Sequence, residues 1–324
     1  MKIGLRTIKT AVAAVLAMLL ASSLQLLYAP AAGIIAILSV GNTKKASLYT
    51  GLGRLASLAI ATTISFICFK MLGFNPLGFG VYLLFFIPIS KTFQLTDGIV
   101  VNSVLVTHYM MERSFALSLL KNELLLMSIG VGFALLFNLY MPNIEQQLKE
   151  DQQKIEAGFR KILSGMSDEL NHPPQAVLSK ACDDLLVFIR EGQRRAQMYQ
   201  ENQWQVEDVY YEEYFSMRRT QIRLLSDMVA LLEGIQVEEV LVEDLRLLLD
   251  FTAETFHEAN DGTEILKRIN SVYEVYRSKA LPQNREEFEN RARLFQFLQS
   301  FKSFIEIKAE FSKAAVKLNE KTAA

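Results

Sequence analysis

Acidic residues are nearly missing from the first half of this 324-residue sequence. Residues 1–144 contain three acids, Asp97, Glu112 and Glu123, against ten Lys and Arg, a net charge of +7. Residues 145–324 hold the other 24 basic and 32 acidic side chains, a net of −8. That acidic balance argues against nucleic acid as a partner, because phosphate binding needs a net basic surface. Cysteine is scarce too. Cys68 lies in an apolar stretch and Cys182 in a polar one, so no disulfide framework is indicated and both read as small apolar residues. His172 and His257 do not have metal-site spacing with Cys182. There is no Ser-His-Asp spacing and no phosphate loop. No catalytic residue, metal or cofactor is expected, and the chain does not read as an enzyme.

The longest absence is of charge itself. Residues 10–43 carry no charged side chain and are flanked by Lys9 and Lys44. A bilayer core takes about 20 apolar residues per helix, so this run suffices for one crossing and a shorter return, broken at Pro30 and Gly33. The start imitates a secretory signal, with Lys2, Arg6 and Lys9 before the run and Ala29-Pro30-Ala31 after it. The run exceeds the roughly 7–15 residues of a signal core and more apolar segments follow, so a retained anchor is expected.

Six crossings are expected, at about residues 10–28, 30–43, 55–69, 71–90, 98–111 and 120–141. The second, third and fifth are short for about 30 Å of hydrocarbon, and four full crossings plus a broken pair is the competing arrangement. Cytoplasmic loops are enriched in Lys and Arg. With the N-terminus inside, Lys2, Arg6, Lys9, Lys44, Lys45, Arg54 and Lys91 face the cytoplasm, and only Lys70, Arg113 and Lys121 fall outside. The second half then also lies in the cytoplasm. Gly53, Ser57, Ala61 and Ser65 recur every fourth residue, as do Ala13, Ala17 and Ala21, and Ser128 and Gly132 share the spacing. Small residues at this interval let helices approach closely in lipid, within the bundle or at a subunit contact.

Ionisable groups at membrane depth are costly and mark functional candidates. Arg54 opens the third crossing, Lys91, Gln94 and Asp97 lie between the fourth and fifth, and Asn102 and His108 lie in the fifth. Pro76, Pro88, Gly73, Gly78 and Gly80 mark broken helices of the kind transporters use. Each has a plainer reading. Arg54 and Lys91 can be snorkelling anchors, Asp97 can cap the fifth helix, and His108 can sit at the outer interface. Together they supply two cations, one acid and one group that titrates near neutrality. That set suits an organic anion attracted by Arg54 and Lys91, with Asp97 or His108 carrying a proton.

Residues 143–321 read as helix throughout. Leu148, Gln152, Ile155, Phe159, Ile162 and Met166 recur at alternating steps of three and four. So do Leu178, Cys182, Leu185, Ile189, Gly192, Ala196 and Tyr199, and again Tyr210, Tyr214, Met217, Gln221, Leu224, Met228, Leu231 and Ile235. This marks amphipathic helices packed along their length. Breaks at Asn171-His172-Pro173-Pro174, near Asn202, at Gly234, at Asn260-Asp261-Gly262 and at Leu281-Pro282 divide the segment into about six helices, the last over roughly 284–321. Asn171 is a candidate cap for the helix opened by the prolines. Arg190, Arg194, Arg195, Arg218, Arg219 and Arg223 read as a solvated face, with anionic lipid as the sharper reading. Trp204, Tyr210, Tyr211, Tyr214 and Phe215 read as core packing rather than as a ligand pocket.

The fold class is therefore all-α: a polytopic membrane helix bundle over residues 1–142, then an elongated soluble antiparallel helical bundle over residues 143–324. Met1-Lys2-Ile3-Gly4-Leu5-Arg6-Thr7-Ile8-Lys9-Thr10, Gly53-Arg54-Leu55-Ala56-Ser57 and the run from Asp97 to His108 resemble the aromatic acid exporter family, member 1 type, within the wider fusaric-acid-resistance-like group. The second half looks like the helical C-terminal domain fused to that unit. The family usually follows its Gly-Arg element with Gly-Thr, where this sequence has Ala56-Ser57. The resemblance implies efflux of aromatic carboxylates driven by an ion gradient. Larger relatives carry two such membrane units, so it also implies a homo-oligomer here. The expected partners are the lipid bilayer and a small organic anion. The alternative function is a membrane-anchored scaffold or sensor whose cytoplasmic bundle recruits another protein.

Overall fold

Leu5–Ser23 forms α1, and its alanines decide which side faces inward. Ala13, Ala17 and Ala21 are fully buried, whereas Leu5, Ile8, Val12, Val15 and Leu19 are exposed. A helix that turns small residues inward and large apolar ones outward is solvated by lipid. The computed structural model describes residues 4–170, 177–203, 209–232, 235 and 239–322. Among these residues all regular structure is helical.

One unit comprises residues 1–142 with 201–206, the other residues 143–200 with 207–324. In the first, α1 is followed by α2 (Pro30–Ser39), α3 (Lys44–Leu72), α4 (Pro76–Thr92), α5 (Ile99–Glu112) and α6 (Leu117–Asn138). Three of these, α1, α3 and α6, are long and apolar enough to cross a membrane. The third segment is therefore not short. It starts at Lys44 because the Thr43 hydroxyl accepts from the Ala46 amide, which caps the first turn. Its 29 residues extend about 43 Å. By contrast α2 has ten residues, about 15 Å, and α5 has fourteen, about 21 Å. Pro30 opens α2 at a position where its missing N–H costs nothing. Asn75 caps α4 through the Gly78 amide.

Hydrogen bonds across the helix ends show which segment ends lie together. At one end, Lys9 donates to the Tyr140 carbonyl, Arg54 to the Leu38 carbonyl, and Asn138 to the Gly41 and Thr43 carbonyls. At the other, Leu27 is bonded to Asn122 and Tyr28 to Glu112. Gly130 allows α6 to touch α2, since a Cβ there would stand 2.6 Å from the Ala32 carbonyl oxygen.

The second unit contains α7 (Glu145–Glu169), α8 (Val177–Asn202), α9 (Tyr210–Leu232), α10 (Glu239–Thr255), α11 (Thr263–Arg277) and α12 (Arg285–Thr322). Leu148, Ile155, Phe159, Ile162 and Met166 of α7 are buried with Leu178, Cys182, Leu185 and Ile189 of α8 and with Phe297, Phe301, Phe304 and Ile305 of α12. Tyr214 and Phe215 belong to this core, with Tyr210 packed against it. The Asn171–Pro174 break, its Asn171 cap, Trp204 and Gly234 lie outside the described residues.

Arg218 departs from the solvated-face reading, because it is fully buried. It shares a face of α9 with Tyr214 and Gln221, at the helical steps of four and three. Its guanidinium donates to Gln221 at 2.9 Å and to Glu156 at 3.1 Å, and lies over the Phe256 and Tyr214 rings. Lys308 is buried nearby in the same polar core, donating to the Glu258 and Asn260 carbonyls.

Burial, reinforced by the Arg218 charge, lowers the Lys308 ammonium from 10.5 to about 8. Between these values the unfolded chain binds the proton that the folded one has released, so stability rises with pH across this window. Relative to a Lys308→Met variant, the wild type should gain about 3 kcal/mol of unfolding free energy between pH 7 and 11. Calorimetry of both proteins across that range checks this. A difference independent of pH would contradict it.

Candidate functional site

Two buried polar layers lie in the membrane unit, and α5 passes through both. The first is built on Arg54, three turns into α3. Its side chain is buried rather than snorkelling. Nε donates to the Asp97 main-chain oxygen at 3.1 Å, one Nη to the Leu38 carbonyl at 2.9 Å, and the other to Ser39 Oγ. All three acceptors are neutral. Leu38 and Ser39 form the last turn of α2, whose carbonyls lack helical partners, so a guanidinium is favoured there.

Asp97 does not cap α5. It lies in a 3-10 turn, Thr96–Gly98, and its carboxylate accepts from the Thr50 hydroxyl at 2.9 Å. Gly98 makes this turn fit against α3, because a Cβ at 98 would stand 1.9 Å from Ser57 Oγ. Asn102 donates to Ser57 Oγ at 2.6 Å and to the Arg54 carbonyl at 3.2 Å, while its own oxygen is buried without a hydrogen-bond partner. The structure thus brings Arg54, Asp97 and Asn102 together. Lys91 is exposed in the last turn of α4. Ser57, Ala61 and Ser65 are fully buried, and Gly53 is half-buried.

The second layer was only half visible in the sequence. His108 is buried, not interfacial, and its Nδ1 lies 2.8 Å from Glu123 Oε2 on α6. Glu123 is fully buried, and Asn122 donates to its other oxygen at 3.0 Å. Asn122 also bonds both the N–H and the carbonyl of Leu27. The linker between α1 and α2 is thereby held so that Tyr28 stacks on the His108 ring, with centroids 4.0 Å apart. Tyr28 adopts a left-handed φ of 59°, and its hydroxyl donates to Glu112 at 2.8 Å. Such a backbone is unfavourable for a bulky residue, so the stacking and the two anchoring hydrogen bonds must offset it. The signal for Glu123 was an acid inside a helix whose remaining turns are almost wholly apolar.

Asn102 and His108 are six residues apart on one helix, about 9 Å along its axis. Between the layers lie Leu58, Leu105 and Leu126, buried in one apolar cluster. Neither Arg54 nor the His108–Glu123 pair is open to solvent. A groove of about 470 Å³ between α3 and α4 is lined by Ile64, Cys68, Val81, Phe85 and other apolar residues, and offers an anion no donor.

The family model for aromatic acid exporter family member 1 matches residues 1–141, and that for the aromatic acid exporter C-terminal domain matches residues 145–309. The chain belongs to the aromatic acid exporter family. It is accordingly a multi-pass membrane protein of an exporter family, and both polar layers fall within the part matched by the family's membrane unit. It is 32% identical over 314 residues to the uncharacterized protein YqjA of Bacillus subtilis (strain 168), covering 96% of each chain. A crystal structure from Clostridium difficile 630 aligns with 52% of this aromatic acid exporter family chain and 98% of its own. Its identity is 19% and its TM-score 0.47, too low to carry an argument about the fold.

Proposed function

We propose that the protein exports small organic anions, aromatic carboxylates among them, across the bacterial inner membrane, driven by an ion gradient. The observation that carries this reading is Arg54. It is a buried cation in the membrane unit whose hydrogen bonds go to two carbonyls and a hydroxyl, and among the described residues no carboxylate contacts it directly, the Asp97 charge acting on it from beyond hydrogen-bond reach. A buried charge without a contacting counter-ion is costly, and a transported carboxylate supplies a direct one as a fork-shaped acceptor suited to guanidinium. The unpartnered oxygen of Asn102 supplies an acceptor in the same layer.

In this reading the His108–Glu123 pair is the proton-coupling element, and Leu58, Leu105 and Leu126 are the barrier closed between the layers. The distribution of Lys and Arg supports an N-terminus and a residue 143–324 domain in the cytoplasm, with six segments crossing. Assembly as a homo-oligomer is part of the same proposal.

The test is flux of a radiolabelled aromatic carboxylate in reconstituted vesicles. Arg54→Ala is expected to lower flux at least tenfold, and Arg54→Lys to retain an intermediate rate, each compared with wild type in protein whose thermal transition and insertion show it to be folded. Unchanged flux in a folded Arg54→Ala protein would remove Arg54 from the pathway.

A further inference from the structure

We propose that the groove between α1 and α6 is a binding site for one anionic phospholipid, with an acyl chain in the groove and the phosphate on Lys9 and Arg6. The groove has a volume of about 440 Å³, within the range of ligand pockets. Leu5, Ile8 and Val12 of α1 line one wall, and Leu136 and Phe137 of α6 line the other. The three α1 side chains are 40–50% exposed, so the groove opens outward to hydrocarbon.

Lys9 and Tyr140 close it at the end where α1 begins and α6 has finished. Lys9 is 7% exposed, donates to the Tyr140 carbonyl and lies 5.5 Å from the centroid of the Tyr140 ring. It thus lies against the groove wall instead of extending into water. It has no ion pair among the described residues. Arg6 lies three residues earlier, on the neighbouring helical position, is exposed, and reaches the Val40 carbonyl at 3.4 Å. The Lys44 charge acts on Lys9 from the start of α3.

Among the described residues no acid of this unit forms an ion pair with Lys9 or Arg6: Glu112 and Glu123 lie at the opposite helix ends, Asp97 is bonded to Thr50, and Glu201 accepts from the Thr43 hydroxyl. Cations at a bilayer boundary beside an apolar interhelical groove match the two parts of an anionic lipid, phosphate and tail. Neither part alone explains both features. A zwitterionic lipid brings its own cation to a site that already holds Lys9 and Arg6, and free phosphate leaves the groove unused. The site is distinct from both polar layers and independent of what is transported.

The full-length protein, delipidated in detergent, is titrated with phosphatidylglycerol, phosphatidylcholine of the same chains, or inorganic phosphate. Bound lipid is counted by native mass spectrometry and stability by thermal unfolding. Phosphatidylglycerol should bind one per chain and raise the melting temperature, the other two probes leaving it unchanged. Lys9→Gln with Arg6→Gln should weaken this binding at least tenfold. Val12→Trp, which fills the groove from an exposed position and keeps both cations, should weaken it equally. Equal binding of the two lipids, full competition by inorganic phosphate, or binding untouched by Val12→Trp would overturn the proposal. So would occupation of the groove by a second copy of the chain, read as a dimer that Val12→Trp dissociates.

Discussion

Glu156→Ala is expected to destabilise the second unit by about 3–5 kcal/mol, the usual cost of stranding one member of a buried ion pair. The partner left behind is Arg218, which is fully buried and has Glu156 as its carboxylate at 3.1 Å. Gln221 and the rings of Tyr214 and Phe256 still contact the guanidinium, but none of them carries a negative charge. Arg218 Nε already lacks a hydrogen-bond partner, so the site has little spare capacity to absorb the loss. For a unit of this size the expected shift in melting temperature is on the order of 10 °C.

Removing both charges has a different result. Glu156→Leu with Arg218→Met should recover most of the lost stability, because a well-packed apolar pair avoids the desolvation that the ion pair must repay. Calorimetry of the full-length protein in detergent separates these cases. A Glu156→Ala transition within about 1 °C of wild type would mean that the Arg218 charge is compensated elsewhere.

Glu123→Gln should lower proton-driven flux at least tenfold and flatten its dependence on pH. The substitution keeps the size of the side chain and an oxygen to accept from Asn122, so the anchoring of the α1–α2 linker is retained. What disappears is the titratable partner of His108, 2.8 Å away. In the proposed export cycle this pair carries the proton, in a region where charge is costly. His108→Gln should produce the same flattening. Flux in proton-loaded vesicles between pH 5.5 and 8 provides the measurement, and a wild-type pH profile in both variants would exclude the pair from coupling.

The contrast between an apolar first part and a charge-rich second part was legible because it depends on local composition. A run without charge from 10 to 43 and the shift from +7 to −8 need no knowledge of contacts. The apolar stripe of α7 was equally legible, since Leu148, Ile155 and Phe159 repeat with the helix. Boundaries were less so. The third crossing looked short because Lys44, Lys45 and Arg54 are charged, yet α3 runs from Lys44 through all three.

The site was legible in its residues and not in its pairings. Arg54, Asp97, Asn102 and His108 stood out as polar groups at membrane depth, but no pattern along the chain says that Asp97 binds Thr50 instead of capping α5. Glu123 looked like a residue near the boundary, and Arg218 looked like one more arginine on a wet face. In each case helix rotation decided the outcome.

The sequence by itself determined that this is an all-helical chain with an apolar first part and a charge-rich second part, because composition is a property of each segment. Only the tertiary structure decided that Tyr28, His108 and Glu123 meet, and that Arg54 caps α2 through neutral acceptors. Those contacts join residues 15 to 80 positions apart. They depend on which face each helix turns inward, a choice made by packing against its neighbours.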